Sequence, residues 1–201
     1  MTTHPELESI TLAFHPVTPD RWPDLERLFG PHGANSGCWC LWWRLSRAEF
    51  DRSTADERKA GLKGLVDAGR PPGILAYVAD EPIAWVSLGP REDFSALERS
   101  RVLKRVDDSP AWSIVCFFVG KRYRRQGLMV RLLQGAVGYA AENGAQIVEG
   151  YPVDPGDERI DGGSSGFMGL ASAYRKAGFV EVARPNERRA IMRYYVGSAT
   201  A

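Results

Sequence analysis

Residues Trp112 to Glu142 constrain this chain more than any other stretch, because a strand, a basic turn and a helix follow one another there without a break. The segment Trp112-Ser113-Ile114-Val115-Cys116-Phe117-Phe118-Val119 is almost wholly apolar and rich in β-branched and aromatic residues, the pattern of a central strand covered on both faces. The turn Gly120-Lys121-Arg122-Tyr123-Arg124-Arg125-Gln126-Gly127 comes next. Leu128, Leu132, Leu133, Ala136, Val137 and Ala140 then form one stripe of a helix that Asn143-Gly144 stops. A strand feeding a helix through a basic turn brings free backbone N–H groups, the positive end of a helix dipole and several cationic side chains to one point. That combination is a site for a phosphate-bearing ligand.

The rest of the chain supplies a frame for this unit. Ile10 to Val17 reads as a first strand, and Thr18-Pro19 as the start of a helix whose face is Trp22, Leu25, Leu28 and Phe29 and whose end is Gly30. Ser46 with Glu49 and Thr54 with Glu57 are capping boxes, the second opening a helix that buries Leu62, Leu65 and Val66. Gly73 to Val78 and Ile83 to Leu88 read as an antiparallel hairpin around Asp80-Glu81. Arg91 to Pro110 is charged, with apolar residues spaced for a short helix or an ordered loop. Gln146 to Val153 is a strand, Pro155 to Gly166 a surface loop with a glycine- and serine-rich end, and Phe167 to Lys176 a helix. Phe179 to Ala183 and Ala190 to Val196 pair as the last strands. No repeat, linker or low-complexity segment divides the chain, so the expectation is one α/β domain over residues 1–201, with its core at about 10–196.

Composition narrows the function classes. Lys and Arg total 26 against 25 Asp and Glu, and the basic residues cluster densely only from Lys121 to Arg125, which is too short a stripe for nucleic acid. No apolar run approaches membrane-spanning length, and the N-terminus lacks the pattern of a leader. Three cysteines, two of them in Cys38-Trp39-Cys40, argue against a disulfide framework and for a reducing, cytoplasmic setting.

Two nucleotide signatures are missing from the basic turn: the spaced glycines of a dinucleotide fold and the Gly-Lys-Ser/Thr of a P-loop. What stands there is Val119, Arg124 five residues on and Gly127 eight residues on. This resembles the acetyl-coenzyme-A signature Val-x4-Gln/Arg-x-x-Gly-x-Gly/Ala of the GNAT superfamily of N-acetyltransferases. Ala173-Tyr174-Arg175-Lys176-Ala177-Gly178-Phe179 is similar to the Tyr-x-Lys-x-Gly-Phe ending of the family's fourth helix. The order of elements from Ile10 to Val196 matches too, and Met129 departs from the pattern where the family has glycine or alanine.

The resemblance implies a single GNAT domain, a mixed and mostly antiparallel sheet whose central parallel pair is splayed to admit acetyl-CoA, with helices on both faces. It implies that the backbone from Arg124 through Arg125, Gln126, Gly127 and Leu128 to Met129 holds the pyrophosphate. It also implies that the main chain of Phe118 and Val119 binds the pantetheine arm and polarises the thioester. Tyr174 looks like the family's general acid for the leaving thiolate, against the alternative of a packed helix tyrosine. A strand carboxylate base is missing from Trp112 to Val119; Glu149 is the best substitute and Asp154 a poorer one, with a water relay equally open.

The aromatic patch Trp39, Trp42 and Trp43 reads either as a wall of the acceptor pocket or as core. Cys38, Cys40 and His32 have the wrong spacing for a structural zinc site, so no metal is expected. The favoured function is an acetyl-CoA-dependent N-acetyltransferase acting on a primary amine of a small molecule or peptide by direct attack in a ternary complex. The alternative is a non-catalytic acyl-CoA-binding sensor or regulatory domain of the same fold. Neither nucleic acid nor membrane is expected as a partner, and a homodimer stays open.

Overall fold

The computed structural model describes residues 11–155 and 166–197. Its strands are β1 (Ala13–Pro16), β2 (Gly73–Val78), β3 (Glu81–Pro90), β4 (Trp112–Val119), β5 (Ile147–Gly150), β6 (Val180–Asn186) and β7 (Arg189–Tyr195). Its helices are α1 (Trp22–Phe29), α2 (Arg47–Arg52), α3 (Ala55–Asp67), α4 (Ser95–Glu98), α5 (Leu128–Glu142) and α6 (Ala171–Lys176). The strands form one sheet in the order β1-β2-β3-β4-β5-β7-β6, antiparallel throughout except for the parallel pair β4 and β5.

Both capping boxes are present as read. Ser46 and Thr54 accept from the amides of Glu49 and Glu57, and each glutamate reaches back to the cap amide. The strand Trp112 to Val119 and the helix Leu128 to Glu142 have the boundaries their apolar pattern predicts. Other boundaries move. The first strand is confined to four residues. The expected strand Gln146 to Val153 ends at Gly150, because Tyr151 to Val153 bends away to bridge Leu170 and Arg189. The expected helix Phe167 to Lys176 is a short 3-10 turn at Gly166–Met168 and then α6, interrupted by left-handed Gly169. The serine-glycine end of the preceding loop, Gly162 to Ser165, lies outside the described residues.

Side-chain alternation along the central strands divides the core between two faces. On one face α5 and α6 cover Ile74, Val86, Leu88, Ile114, Phe117, Val148 and Met192, meeting them with Leu132, Leu133, Ala136 and Tyr174. On the other, α1 and α3 cover Leu75, Tyr77 and Trp85 with Trp22, Leu25, Phe29, Leu62 and Val66. Beside that second layer the segment after β3 packs Phe94, Leu97 and Leu103 against Val115, Tyr151 and Ile191.

One irregularity shapes everything that follows. Ser87 faces Cys116 and Leu88 faces Ile114, which leaves Val115 as an extra residue on β4. A bulge of this kind bends its strand and increases the local twist. On its other side β4 pairs with β5 only through Trp112, Ser113 and Ile114, opposite Val148, Glu149 and Gly150. From Val115 onward the two central strands diverge.

Candidate active site at the fork of the central strands

Among the described residues, the fork leaves the edge of β4 that faces β5 without a strand partner from Val115 to Val119. Backbone N–H and C=O groups at such an edge are ready to pair with an extended ligand. β4 runs from the fork directly into the basic turn, and Gly127 caps α5 in a left-handed conformation at φ 72°. Space around Gly127 is open, with no heavy atom within 4 Å of the position a β-carbon would take. Among the described residues the amides of Arg124, Arg125, Gln126 and Gly127 make no backbone hydrogen bond. Four free donors at the start of a fifteen-residue helix suit a diphosphate.

The side chains of the turn are arranged around that backbone. Arg124 folds back, its Nε donating to the Val119 carbonyl at 2.9 Å and its guanidinium lying 5.7 Å from the centre of the Phe118 ring. Gln126 donates to the Arg122 carbonyl at 2.7 Å, and Arg125 takes up a left-handed φ of 61°. Phe118 faces the α1 side of the sheet, where its ring meets Phe29 at 5.4 Å. Leu128 is buried in the core. Met129 turns inward as well: its sulfur stands 3.4 Å from where a β-carbon on Gly169 would sit, beside Tyr174 and Phe117.

Tyr174 is fully buried at this junction. Its ring lies so close over Gly150 that a β-carbon there would stand 2.6 Å from the hydroxyl. Phe117 and Phe179 hold the ring edge-on. The hydroxyl donates to the Met168 carbonyl at 3.2 Å, longer than an ordinary O–H···O bond and so readily exchanged for a better acceptor. Burial pushes the phenol well above the usual tyrosine value, which keeps its proton in place at neutral pH.

Glu149 occupies a different environment from the one its sequence position suggested. Strand alternation turns it to the face opposite Tyr174, where it is buried and its oxygens are taken. Arg91 Nη1 donates to Oε1 at 2.8 Å, the Tyr151 hydroxyl to the same oxygen at 2.7 Å, and Arg193 Nε to Oε2 at 2.8 Å. Ser113 joins the network through Tyr151 at 2.7 Å, and Arg91 also bonds Glu98 and the Leu103 carbonyl. A carboxylate buried and pinned between two guanidinium groups, on the face opposite Tyr174, is placed as an anchor. Asp154 is engaged likewise, by Arg175 at 2.8 Å and Arg184 at 2.7 Å. Sequence reasoning missed this network because its members lie in the segment after β3, on β4, at the end of β5 and on β7, with no local spacing to betray them.

The tryptophans separate. Trp39 is 6% exposed and belongs to the core, stacked 5.8 Å from Trp22 and packed on Phe29. Trp42 stands at the surface, 36% exposed, edge-on to Phe50 and beneath the Arg47 guanidinium. Trp43 packs against the cluster around Phe94 and Leu97, its indole N–H buried without a partner among the described residues. The cysteines also pack. Cys40 Sγ accepts from Trp85 Nε1 at 3.2 Å and lies 3.7 Å from Cys116 Sγ, and that thiol contact together with burial holds the Cys40 thiol well above its ordinary value. A cleft of about 1090 Å³ lined by Glu26, His32, Trp39, Asp56 and Lys59 lies between α1 and α3, apart from the fork.

Comparison with known proteins follows the same lines. The family model described as acetyltransferase (GNAT) family matches residues 38–161. A search of curated proteins returns no match. Among solved structures, an uncharacterised protein from Bacillus halodurans superposes with a TM-score of 0.55 at 14% identity, covering 94% of this chain and 86% of that one. A protein assigned to the GNAT family from Desulfovibrio desulfuricans gives 0.51 at 15% identity, covering 93% and 100%. An aminoglycoside N(6')-acetyltransferase from Legionella pneumophila gives 0.50 at 16% identity, covering 93% of each chain. At these identities the superpositions speak for a shared fold.

Proposed function

Because the chain belongs to the GNAT acetyltransferase family, we propose that it transfers the acetyl group of acetyl-CoA to a primary amine by direct attack in a ternary complex. The observation that carries this reading is the fork: an unpaired β4 edge leads straight into the free amides at the start of α5, with a protonated phenol at its apex.

In this reading the amides of Arg124 to Gly127 and the first turn of α5 hold the pyrophosphate, and the diverging edge at Phe118 and Val119 pairs with the pantetheine arm. Backbone N–H groups at the edge then stabilise charge developing on the thioester oxygen. The amine nitrogen attacks the carbonyl carbon, the C–S bond breaks, and the thiolate takes the proton of the Tyr174 hydroxyl. With Glu149 and Asp154 held in ion pairs, the attacking amine loses its proton to solvent. The acceptor approaches from the face where Phe118 and Cys116 are half-buried, and it is a small-molecule amine or the amino group of a peptide.

Isothermal titration with acetyl-CoA tests the site. Gly127→Glu places a carboxylate where the diphosphate would lie, and loss of binding is expected. Unchanged affinity would remove the phosphate assignment. Chromatographic detection of CoA released in the presence of kanamycin, spermidine and a set of dipeptides then tests catalysis. Tight binding of acetyl-CoA with no turnover on any acceptor, water included, would point to the sensor function instead.

A further inference from the structure

Arg189, the first residue of β7, is a half-buried guanidinium with no carboxylate partner among the described residues. Its neighbours on the last two strands are all paired: Arg184 with Asp154 and Glu181, Arg193 with Asp107 and Glu149. Desolvating a cation without an opposing charge is costly, so a fold that keeps one there calls for a reason. Arg189 Nη1 donates to the Tyr151 carbonyl at 2.7 Å and sits 3.5 Å from the Met168 sulfur.

Both of those partners lead to Tyr174. Tyr151 directly follows Gly150, on which the Tyr174 ring rests, and Met168 supplies the carbonyl that accepts the hydrogen bond of the phenol. Met168 packs in the cluster beside Val115, Tyr151 and Ile191, whereas Tyr174 belongs to the cluster under α5 and α6. The phenol therefore reaches across the fork from one face and Arg189 approaches the same residue from the other. We propose that Arg189 is a positioning residue for Tyr174: it fixes Met168 and the end of β5 against the phenol, and its charge stabilises the phenolate left when the proton passes to the CoA thiolate.

This inference rests on the reading of Tyr174 as general acid. In the step concerned the O–H bond of Tyr174 breaks, an S–H bond forms on CoA, and the negative charge moves from sulfur to the phenol oxygen until solvent returns a proton. Burial opposes that charge, and Arg189 is the cationic group that counters it. The other titratable group near the phenol, the Cys116 thiol on β4, acts in the opposite sense. Phe117 on β4, Met129 on α5 and Phe179 beyond α6 are uncharged, while Arg175 is directed to Asp154 and Glu181.

The test is a double-mutant cycle on CoA release from acetyl-CoA, with whichever of kanamycin, spermidine, the dipeptides or water supports turnover. Arg189→Gln is expected to lower kcat roughly tenfold, the equivalent of about one unit of phenol acidity, with KM for acetyl-CoA changed less than twofold. Arg189→Lys, which keeps the charge, is expected to recover most of the loss. In the Tyr174→Phe background Arg189→Gln should cost nothing further. A full, independent loss in that background, or an Arg189→Gln enzyme with wild-type kcat, overturns the inference. If Arg189→Gln does not fold by circular dichroism, Arg189→Lys and Arg189→Met decide it, since a role confined to packing would be met by Met and not by Lys. A fully active Tyr174→Phe enzyme, or absence of turnover with every acceptor, overturns the acid assignment itself and this inference with it. An impaired Tyr174→Phe enzyme beside an unaffected Arg189→Gln enzyme removes only the role of Arg189.

Discussion

The Tyr174 hydroxyl and the α-carbon of Gly150 are so close that a β-carbon at residue 150 would lie 2.6 Å from the phenol oxygen. Gly150 is also the last residue of β5 paired to β4, so the apex of the fork and the seat of the phenol coincide. Gly150→Ala is therefore expected to push the ring out of place. The crowding should cost about 1–3 kcal/mol of stability and lower turnover while leaving acetyl-CoA affinity within a few-fold. Chemical denaturation and titration calorimetry on one preparation would separate the two effects; wild-type turnover in Gly150→Ala would mean that the phenol need not sit there.

Glu149 predicts the opposite division between stability and chemistry. Removing its carboxylate with Glu149→Ala leaves Arg91 and Arg193 buried beside a void, and breaking a buried ion pair in this way costs about 3–5 kcal/mol. At a temperature where the variant is still folded, its turnover per folded molecule should remain near wild type. A hundredfold loss with the fold intact would restore Glu149 as a base.

Trp39 and Trp42 stand three residues apart in the aromatic patch of the sequence and should respond differently. Trp39→Ala empties a core position between Trp22 and Phe29 and is expected to destabilise the protein by about 3–5 kcal/mol. Trp42→Ala, at the surface, should change stability by less than about 1 kcal/mol. Thermal unfolding of the two variants would show this directly, and an equal loss in both would contradict the placement of Trp42.

Asp107 ties the segment after β3 to β7. The Arg193 guanidinium at 2.6 Å, with help from the Ser109 amide at 2.9 Å, holds its carboxyl well below the usual range. A folded-state pKa below the unfolded value gives stability that is complete above about pH 4, the ordinary aspartate value, and is lost as pH falls toward the folded value. Asp107→Asn should therefore be less stable than wild type at pH 7, and the gap should narrow as pH falls below about 4. A gap that widens on acidification would be incompatible with this ion pair.

Much of this protein can be read from local pattern. A continuous apolar run made β4, a 3.6-residue stripe made α5, and two hydroxyl-to-glutamate spacings made the caps of α2 and α3, because each depends on residues within a few positions of one another. The family's motifs are local in the same sense: Val119 ends β4 and Arg124 and Gly127 lie on the turn that follows, and Tyr174 to Phe179 lie at one helix end.

Properties that depend on distant partners needed the tertiary structure. Only packing put Trp39 in the core and Trp42 at the surface, for two tryptophans three residues apart carry the same propensity. Only the assembled sheet brought Arg91, Glu149 and Arg193 together, since each alone looks like a surface charge in the sequence. The bulge at Val115 arises from the register of β4 against β3, and no single strand encodes a register. Local chemistry determined which strand, turn and helix follow one another, while long-range strand pairing decided where the fork opens and which side chains stand at its apex.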